Sequence, residues 1–319
     1  MRYIAIGEKV KITDCFIYIF ANVSGFLLSL MSDKIFYFNV TCLAFIFKIL
    51  DKRRKYDCLN NLTFAYNDTL DSRSKKEILN RSYENFAFVL LNSLRLLFMK
   101  KDKYLQKFRV HNIEVIEEAQ KNGNFIVLTA HYGDWEGTAR FIASRFKDIK
   151  LSVVGRLTNF QSINNLMEKS RQNFGSAFLD KKGVSKHLVK LLSKPNNAIG
   201  LVIDQHISVN EGIWVKFFGK DVTHSPIASI LSRKYDIPIL FVHMTLSKDY
   251  SHYDIYFNFL TNAIKSENSK DDIAKMTQMQ ASFTEKIIRQ KKDEWFWFHK
   301  RFKAKYDYIY KQKPTESIK

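Results

Sequence analysis

The chain has 319 residues, with 51 lysines and arginines against 32 aspartates and glutamates and a formal net charge of +19. It has four prolines and no Pro/Gly/Ser-rich linker, internal repeat or low-complexity tract, which favours one large domain over two average ones. The charge indicates an acidic partner. The basic residues are spread along the chain and form no recognised nucleic-acid module, while 27 phenylalanines and 15 tyrosines favour a membrane surface over nucleic acid.

Two apolar stretches come first along the chain. The uncharged run from Cys15 to Ser32 reaches the lower limit of about 18 residues for a helix that spans a bilayer. The second run, from Ile35 to Phe47, is too short to span, and we expect it in the membrane interface or on the domain. No small-residue cleavage site follows, so residues 1–50 are predicted to be an uncleaved membrane anchor. A helix hairpin that packs on the domain without spanning is the alternative.

A basic segment follows the apolar stretches. By the positive-inside rule, its lysines and arginines predict a single N-terminal anchor with the following domain on the cytoplasmic side. The basic residues are Lys48, Lys52, Arg53, Arg54 and Lys55. The domain is predicted to cover residues 51–308, and residues 309–319 are predicted to be a disordered tail. The three cysteines, Cys15, Cys42 and Cys58, form no metal-like spacing, and their odd number suggests a reducing compartment.

Strand-like runs alternate with helical stretches through the rest of the chain, which predicts an α/β fold with a central, mostly parallel sheet flanked by helices. The four runs are 125–128, 151–155, 198–203 and 237–242. Ligand sites of such sheets gather at the carboxyl ends of the strands. We therefore expect one site edge at which all four strands deliver polar residues. These residues are His131, Arg156, Asp204, Gln205 and His243.

The strand–turn–helix signal around His131 is the most informative of these. His131 follows an apolar run, Gly133 permits a tight turn, and Asp134 is a good helix N-cap. Residues five apart in an unbroken helix point about 140° away from each other, so the turn is needed for Glu136 to reach the imidazole. Glu136 is then predicted to accept the Nδ1 proton and leave Nε2 as a base. Asp134 is the rival partner, although its predicted role is to cap the helix.

An aromatic, basic segment from Trp295 to Lys303 lies near the C-terminus. Its tryptophans and Phe298 are expected to cover the core. Its polar side chains are candidates to bind a phosphate or a sugar acid, since arginine suits bidentate contacts. These candidates are His299, Lys300, Arg301 and Lys303. The aromatic and basic residues are also of the types that stack on nucleic-acid bases. His206, His224 and His243 have no close ligand spacing, so we predict no metal and no cofactor.

Residues 131–136 match the H-x4-[DE] box of the glycerolipid acyltransferase superfamily, and the version with Trp135-Glu136 resembles the bacterial lipid A late acyltransferase family. Further family-like segments run in the family's order from about residue 15 to residue 305. They are Arg54–Tyr66, Arg171–Gly175, Asp204-Gln205, Val215–Gly219 and Trp295–Lys303. Two positions depart from the family pattern, which usually has asparagine where this chain has Asp134 and often arginine where it has Lys300.

The resemblance implies an acyltransferase with an acyl carrier protein thioester as donor. The implied acceptor is the 3-hydroxyl of a hydroxyacyl chain on a lipid A precursor at the cell inner membrane. His131 and Glu136 would be catalytic, and Arg156 or backbone amides would stabilise the oxyanion. Asp204 and Gln205 would order the site rim. The alternatives are acylation of another glycolipid or of a lysophospholipid, and a non-catalytic, basic protein that binds lipid or nucleic acid at the membrane.

Overall fold

The computed structural model describes residues 12–311. In this part of the chain the strands are β1 (Phe108–His111), β2 (Phe125–Thr129), β3 (Lys150–Gly155), β4 (Ala177–Asp180), β5 (Asn197–Val202), β6 (Ile213–Phe217), β7 (Lys220–His224), β8 (Ile239–Leu246) and β9 (Tyr253–Thr261). The helices are α1 (Ile12–Leu30), α2 (Asp33–Leu50), α3 (Lys52–Ala65), α4 (Ser72–Arg95), α5 (Lys101–Leu105), α6 (Glu114–Lys121), α7 (Trp135–Arg145), α8 (Gln161–Phe174), α9 (Ser185–Leu192), α10 (Ile227–Tyr235), α11 (Ser269–Gln290) and α12 (Lys303–Tyr306). Two short 3-10 helices cover Lys292–Glu294 and Asp307–Tyr310.

Seven strands form the central sheet in the order β1-β9-β8-β2-β5-β3-β4. All neighbouring pairs are parallel except β8 and β9, so the predicted α/β fold with a mostly parallel sheet is confirmed. Strands β6 and β7 form a separate antiparallel hairpin. All five residues of β2 are buried, because helices cover both faces of a central parallel strand. Helix α7 covers one face of β2, and α11 packs on the other face of the neighbouring strand β8.

One of the predicted strand ends is wrong. The chain stays extended beyond residue 242, and β8 runs from Ile239 to Leu246. His243 therefore lies inside the strand instead of at the site edge. It is buried, and its ring stacks on Tyr256 of β9 at 5.0 Å between ring centroids. The error arises because a buried strand can continue through a histidine when a neighbouring strand supplies a stacking partner.

The two N-terminal helices pack on the domain. A Cβ on Gly25 of α1 would lie 2.5 Å from the carbonyl oxygen of Leu94 in α4, so the two backbones approach closely. Asp33 of α2 accepts a hydrogen bond from Arg95 of α4 at 3.1 Å. The amide nitrogen of Ser162 in α8 donates to Asp14 of α1 at 3.2 Å. Helices α1 and α2, which we call the N-terminal helix pair, thus share the domain's core and form no separate unit in the described part of the chain.

The N-terminal helix pair exposes many large apolar side chains on the side away from α4, which we call the apolar outer face. They are Ile12, Phe16, Ile19, Phe20, Val23, Phe26, Leu27 and Leu30 in α1, and Ile35, Phe38, Phe45, Ile46, Ile49 and Leu50 in α2. Within residues 12–311, α1 is the one helix that is long and apolar enough to cross a membrane. Contiguous exposed apolar surface of this kind marks a contact site for a membrane or a protein.

The C-terminal boundary differs from the prediction. Ile309 is buried, and its carbonyl oxygen accepts a hydrogen bond from Asn60 at 2.8 Å. The hydroxyl of Tyr310 donates to Asn61 at 2.6 Å. The domain therefore extends to residue 310 at least, since these side-chain amides hold the segment on α3. Residues 1–11 of the predicted anchor and residues 312–319 of the predicted tail lie outside the described residues.

Candidate active site

The centre of the site is a contact between His131 and Asp204. Strands β2 and β5 are parallel neighbours with Thr129 opposite Val202, so the residues two positions further on are level at the carboxyl edge of the sheet. The Nδ1 atom of His131 lies 2.8 Å from Oδ1 of Asp204. The other carboxylate oxygen accepts hydrogen bonds from the backbone amide of His131 at 3.0 Å and from the indole of Trp295 at 2.7 Å.

This contact corrects the predicted pairing of Glu136 with the Nδ1 atom of His131. The carboxylate on the imidazole is Asp204, because adjacent parallel strands bring their ends together whatever their separation in sequence. Burial raises the pKa of Asp204, but the charge of His131 and the hydrogen bonds from His131 and Trp295 outweigh burial and hold this pKa below its ordinary value. Asp204 is therefore an ionised carboxylate with hydrogen-bond donors on both oxygens.

The ionised carboxylate fixes the tautomer of His131. A carboxylate accepts hydrogen bonds only, so the Nδ1 atom of His131 carries a proton, and the Nε2 atom of the neutral ring has a free lone pair. The side-chain amide nitrogen of Gln205 lies 3.0 Å from this Nε2 atom. The amide must present its NH2 group here, because two acceptors would repel each other. In this structure the nitrogen suited to act as a base is thus covered by a weak donor.

Gln205 contacts a second histidine. Its amide nitrogen lies 2.9 Å from Nε2 of His299, and the rings of His131 and His299 are 4.7 Å apart between centroids. Burial lowers the pKa of His299, and a positive charge on the neighbouring His131 when that ring is protonated lowers it further, to about 3. His299 is therefore neutral at physiological pH and accepts the hydrogen bond from Gln205. The predicted headgroup contact of His299 stays a prediction, and in this structure its ring contacts Gln205 and His131.

Asp134 and Glu136 both belong to the turn that starts α7. Asp134 accepts a hydrogen bond from the amide of Gly137 at 2.9 Å, which confirms its predicted role as N-cap. Both carboxylate oxygens of Glu136 accept from Arg171 of α8, at 2.9 and 3.2 Å. Burial raises the pKa of Glu136, but the charges of Arg171, Arg140 and His131 outweigh burial and lower it. Glu136 thus acts on His131 through space and does not touch Nδ1.

The other headgroup candidates are not grouped as predicted. Arg301 is fully buried, and its guanidinium donates to the carbonyl oxygens of Thr223 at 2.6 Å and of Gln205 at 3.2 Å. Its predicted contact with a headgroup is wrong, because tertiary packing turns the side chain inward to hold the loop after β5. Lys300 lies 3.7 Å from Asp57. Lys303 is exposed and forms no ion pair with any residue between 12 and 311.

Arg156 reaches the predicted edge but not the His131–Asp204 contact. It follows β3, which is two strands away from β2, and the spacing of about 4.8 Å per strand puts its backbone roughly 10 Å from that of His131. Its side chain is exposed. Arg156 therefore lies at the rim of the site, where it can meet an anionic part of a substrate more readily than the reacting carbonyl.

A narrow apolar cavity, which we call the apolar slot, leads from Trp135 and Glu136 between α7 and the sheet. Its lining is Val127, Thr129, Trp135, Glu136, Thr138, Ala139, Ile142, Leu151, Val153, Gly200, Leu201 and Val202. Its cavity volume is about 30 Å³. Gly200 forms part of its wall, and a Cβ there would lie 3.2 Å from Cγ2 of Val153. Sequence analysis missed the slot, although a glycine inside a buried strand marks a close approach.

Between residues 12 and 311, no group of three or more His, Cys, Asp or Glu side chains is arranged to hold a metal ion. The arrangement instead provides a base with an ionised partner, a neutral amide donor and an apolar slot at one edge. An imidazole held in this way removes a proton from a hydroxyl group.

Comparison with known proteins identifies the family. No curated protein matches the chain in sequence. The family model described as "Bacterial lipid A biosynthesis acyltransferase" matches residues 6–304. This span includes the N-terminal helix pair, His131, Asp204 and the segment around Trp295. The chain therefore belongs to the bacterial lipid A biosynthesis acyltransferase family and is an acyltransferase.

Proposed function

We propose that the protein transfers a fatty acyl chain from an acyl carrier protein thioester to a hydroxyl of a lipid A precursor. The observation that carries the proposal is the His131–Asp204 contact, which leaves Nε2 of His131 as an acceptor; the His131 ring also contacts Trp135, which lines the apolar slot, at 5.0 Å between ring centroids. A hydroxyl that replaces Gln205 at this nitrogen is placed for proton removal. The pairing of a base with a narrow apolar slot at the same edge of the sheet supports transfer of an apolar chain to an alcohol.

The proposed reaction is direct transfer. His131 takes the hydroxyl proton, the alcohol oxygen attacks the thioester carbonyl, and the tetrahedral intermediate expels the thiolate, which regains the proton. Asp204 stabilises the imidazolium through Nδ1, and Glu136 adds a negative charge nearby. The amide of Gln205, released from Nε2, is a donor for the oxyanion at hydrogen-bond range of the same point. No covalent acyl-enzyme is required.

The proposed acceptor enters from the membrane. The N-terminal helix pair packs on α4 and α8 with its apolar outer face open, which suits attachment to the cytoplasmic face of the inner membrane. Because α1 contacts the domain near both of its ends, we propose that the pair lies along the membrane surface. An isolated spanning helix would have no such contacts. The basic segment after α2 adds attraction to anionic lipids.

The test is an assay of purified protein in detergent with an acyl carrier protein thioester and a lipid A precursor. We expect the acceptor's mass to rise by one acyl group, and we expect His131→Ala to abolish this gain while the protein stays folded. A glycolipid without the lipid A hydroxyacyl chains and a lysophospholipid serve as competing acceptors. Equal use of either would overturn the acceptor assignment, and near-normal turnover by His131→Ala would overturn the role of the base.

A further inference from the structure

A basic surface surrounds the start of α9. We call it the α9 surface, and it consists of Lys181, Lys182, Lys186, Val189 and Lys190, all exposed. The chain has no acidic residue between Asp180 and Asp204, although it carries five lysines there. Lys181 has a solvated ion pair with Glu211 at 3.7 Å, and the other three lysines of the surface have no ion pair with any residue between 12 and 311. The positive charge of the surface is therefore largely not neutralised within residues 12–311 and is available to attract an acidic partner.

The surface lies within reach of the catalytic edge. Strands β2, β5, β3 and β4 are consecutive neighbours, and all four are parallel. Their carboxyl ends carry His131, Gln205, Arg156 and Lys181 in that order. Three strand spacings of about 4.8 Å put the end of β4 roughly 14 Å from that of β2. A donor held at Lys181 thus needs a flexible arm to reach His131, and it passes the exposed Arg156 on the way.

The surface also lies on the side of the sheet away from the membrane-facing helices. The connections β2–α7–β3 and β3–α8–β4 cross the sheet in one direction, and β4–α9–β5 crosses it in the other. Because such crossovers are right-handed, α9 lies on the face opposite to α7 and α8. Helix α1 packs on α8 through Asp14 and Ser162. The α9 surface therefore faces the solution, where a soluble donor arrives, and not the proposed bilayer.

The chemistry of the surface fits one kind of partner. Lys186 and Lys190 are four residues apart and lie on one side of α9, with the half-exposed Val189 beside them. A cluster of exposed lysines with one apolar side chain beside them suits a small acidic protein that presents carboxylates. A membrane would instead require a larger apolar area, such as the apolar outer face. The carrier's anionic, flexible prosthetic arm supplies the reach that the roughly 14 Å separation demands.

We propose that the α9 surface is the docking site of the acidic acyl carrier protein, and that Arg156 contacts the anionic prosthetic arm as it enters the site. This proposal rests on the proposed function, which names the carrier protein thioester as donor. Docking here delivers the thioester along the strand ends while the acceptor comes from the membrane side. The two substrates then approach His131 from different faces of the sheet.

The experiment compares two donors of the same acyl chain, the carrier protein thioester and the coenzyme A thioester, on one detergent-dispersed acceptor. In the full chain, the double variant Lys186→Glu/Lys190→Glu should lower kcat/KM about tenfold or more for the carrier thioester, since electrostatic steering contributes at least this factor to association. The coenzyme A thioester should change less than about twofold, because it has no acidic protein surface. The matched control is Lys270→Glu/Lys275→Glu on α11, which has the same charge change on exposed helical lysines.

Four outcomes overturn the proposal. Equal losses with both donors would mean that the lysines support the site or the fold. No loss, in an enzyme that still prefers the carrier thioester, would place docking elsewhere and leave the proposed function intact. Loss of binding to anionic phospholipid vesicles in the α9 variant would assign the surface to the membrane. Equal efficiency and equal salt dependence of the two donors in the unsubstituted enzyme would instead reject the donor assignment of the proposed function.

Discussion

The side-chain amide of Gln205 lies 3.0 Å from Nε2 of His131, so the nitrogen proposed as the base is already hydrogen-bonded in the free enzyme. An incoming hydroxyl must replace this donor before it can lose its proton. Since the same amide also contacts His299 at 2.9 Å, it need not move far to release His131. When the acceptor binds, the Gln205 amide thus gives up its hydrogen bond to His131 and keeps the one to His299.

The first prediction separates the two carboxylates. Asp204→Asn should lower kcat by 10² or more. The carboxylate accepts three hydrogen bonds, from Nδ1 of His131, from the backbone amide of His131 and from the indole of Trp295. Asparagine replaces one accepting oxygen with an NH2 group and cannot accept all three. Glu136→Gln should cost less, since Glu136 contacts Arg171 and not the imidazole. Kinetics with saturating donor measure both. The control Asp134→Asn keeps the helix cap and should be mild. A larger loss for Glu136→Gln would return the imidazole's partner to Glu136.

The second prediction concerns His299 as a positioning residue for Gln205. His299→Ala should lower kcat while KM for the acceptor changes little, because the loosened amide no longer meets the oxyanion. His299→Asn, which retains an acceptor, should recover part of the rate. The pH profile should keep its shape, since a residue with a pKa of about 3 does not titrate near neutrality.

A double-mutant cycle with Gln205→Ala tests the same pair. If His299 acts through Gln205, the double variant should be no slower than Gln205→Ala alone. Independent, additive losses would show that His299 has a separate role, for example in binding the acceptor.

Local sequence signals predicted the turn at His131 well. Gly133 has a positive φ of 57°, and a Cβ there would collide with the carbonyl oxygen of Met244, so the position requires glycine. Asp134 caps α7 as its residue type indicates. The alternation of strands and helices likewise predicted that His131, Asp204 and Gln205 meet at the carboxyl edge, but it misplaced His243, which lies inside β8. These features are determined by a few residues that are close together in the sequence, so they can be predicted without knowledge of the fold.

The pairing of His131 depends instead on strand order. Glu136 is five residues away from His131 and Asp204 is 73, yet β5 is the immediate neighbour of β2. No periodic pattern in the sequence specifies the order of the strands in the sheet. The prediction for Arg301 was wrong for a related reason. Arginine is usually exposed, but here the carbonyl oxygens of Gln205 and Thr223 accept hydrogen bonds from the guanidinium and allow it to be buried. The apolar slot forms only where α7, β3 and β5 come together, so Gly200 could not be recognised as part of its wall from the sequence.

The third prediction concerns chain length. Gly200→Val should shift the preference toward shorter acyl chains, because its side chain would occupy the apolar slot beside Val153. Gly200→Ala should have a smaller effect in the same direction. Competition between donors of different length, read by mass spectrometry of the product, measures the shift. Gly123 lies outside the slot with a φ of 110°, so Gly123→Ala strains the backbone without adding atoms to the slot and is the control for destabilisation alone. An unchanged preference in Gly200→Val would mean that the chain binds elsewhere.

The fourth prediction tests attachment along the membrane surface. The double variant Phe20→Ser/Phe38→Ser should reduce binding to anionic vesicles, because both side chains belong to the apolar outer face and contribute buried area in the lipid. Thermal unfolding in detergent should barely change, since these residues are exposed in the fold. The control is Phe259→Ser/Tyr308→Ser, two exposed aromatic residues outside the pair.

A topology experiment completes this test. A protease-sensitive tag added before residue 1 should stay on the cytoplasmic side if α1 lies along the surface. Exposure of the tag on the periplasmic side would show that α1 spans the bilayer, as its length and composition permit.

The last prediction follows from three buried histidines. Burial lowers the pKa of His243 to about 4, while burial and nearby positive charge lower the pKa of His224 and His299 to about 3. Their ordinary pKa is 6.5, so between pH 6.5 and about 4 the unfolded chain binds protons that the folded protein does not. Stability should therefore fall as the pH decreases through this window, by up to about 1.4 kcal/mol per pH unit for each histidine.

His243 offers the cleanest test because it lies away from the His131–Asp204 contact. His243→Phe keeps an aromatic ring on Tyr256 and removes one titrating group. The free energy of unfolding, measured by denaturant in detergent at several pH values, should then decrease less steeply below pH 6.5 than in the unsubstituted protein, by up to about 1.4 kcal/mol per unit. Substitution of the exposed His187 by Phe is the matched control for a His-to-Phe change on the surface. Equal slopes for His243→Phe and the unsubstituted protein would mean that His243 is protonated inside the fold, and its neutral, stacked position against Tyr256 would then need another explanation.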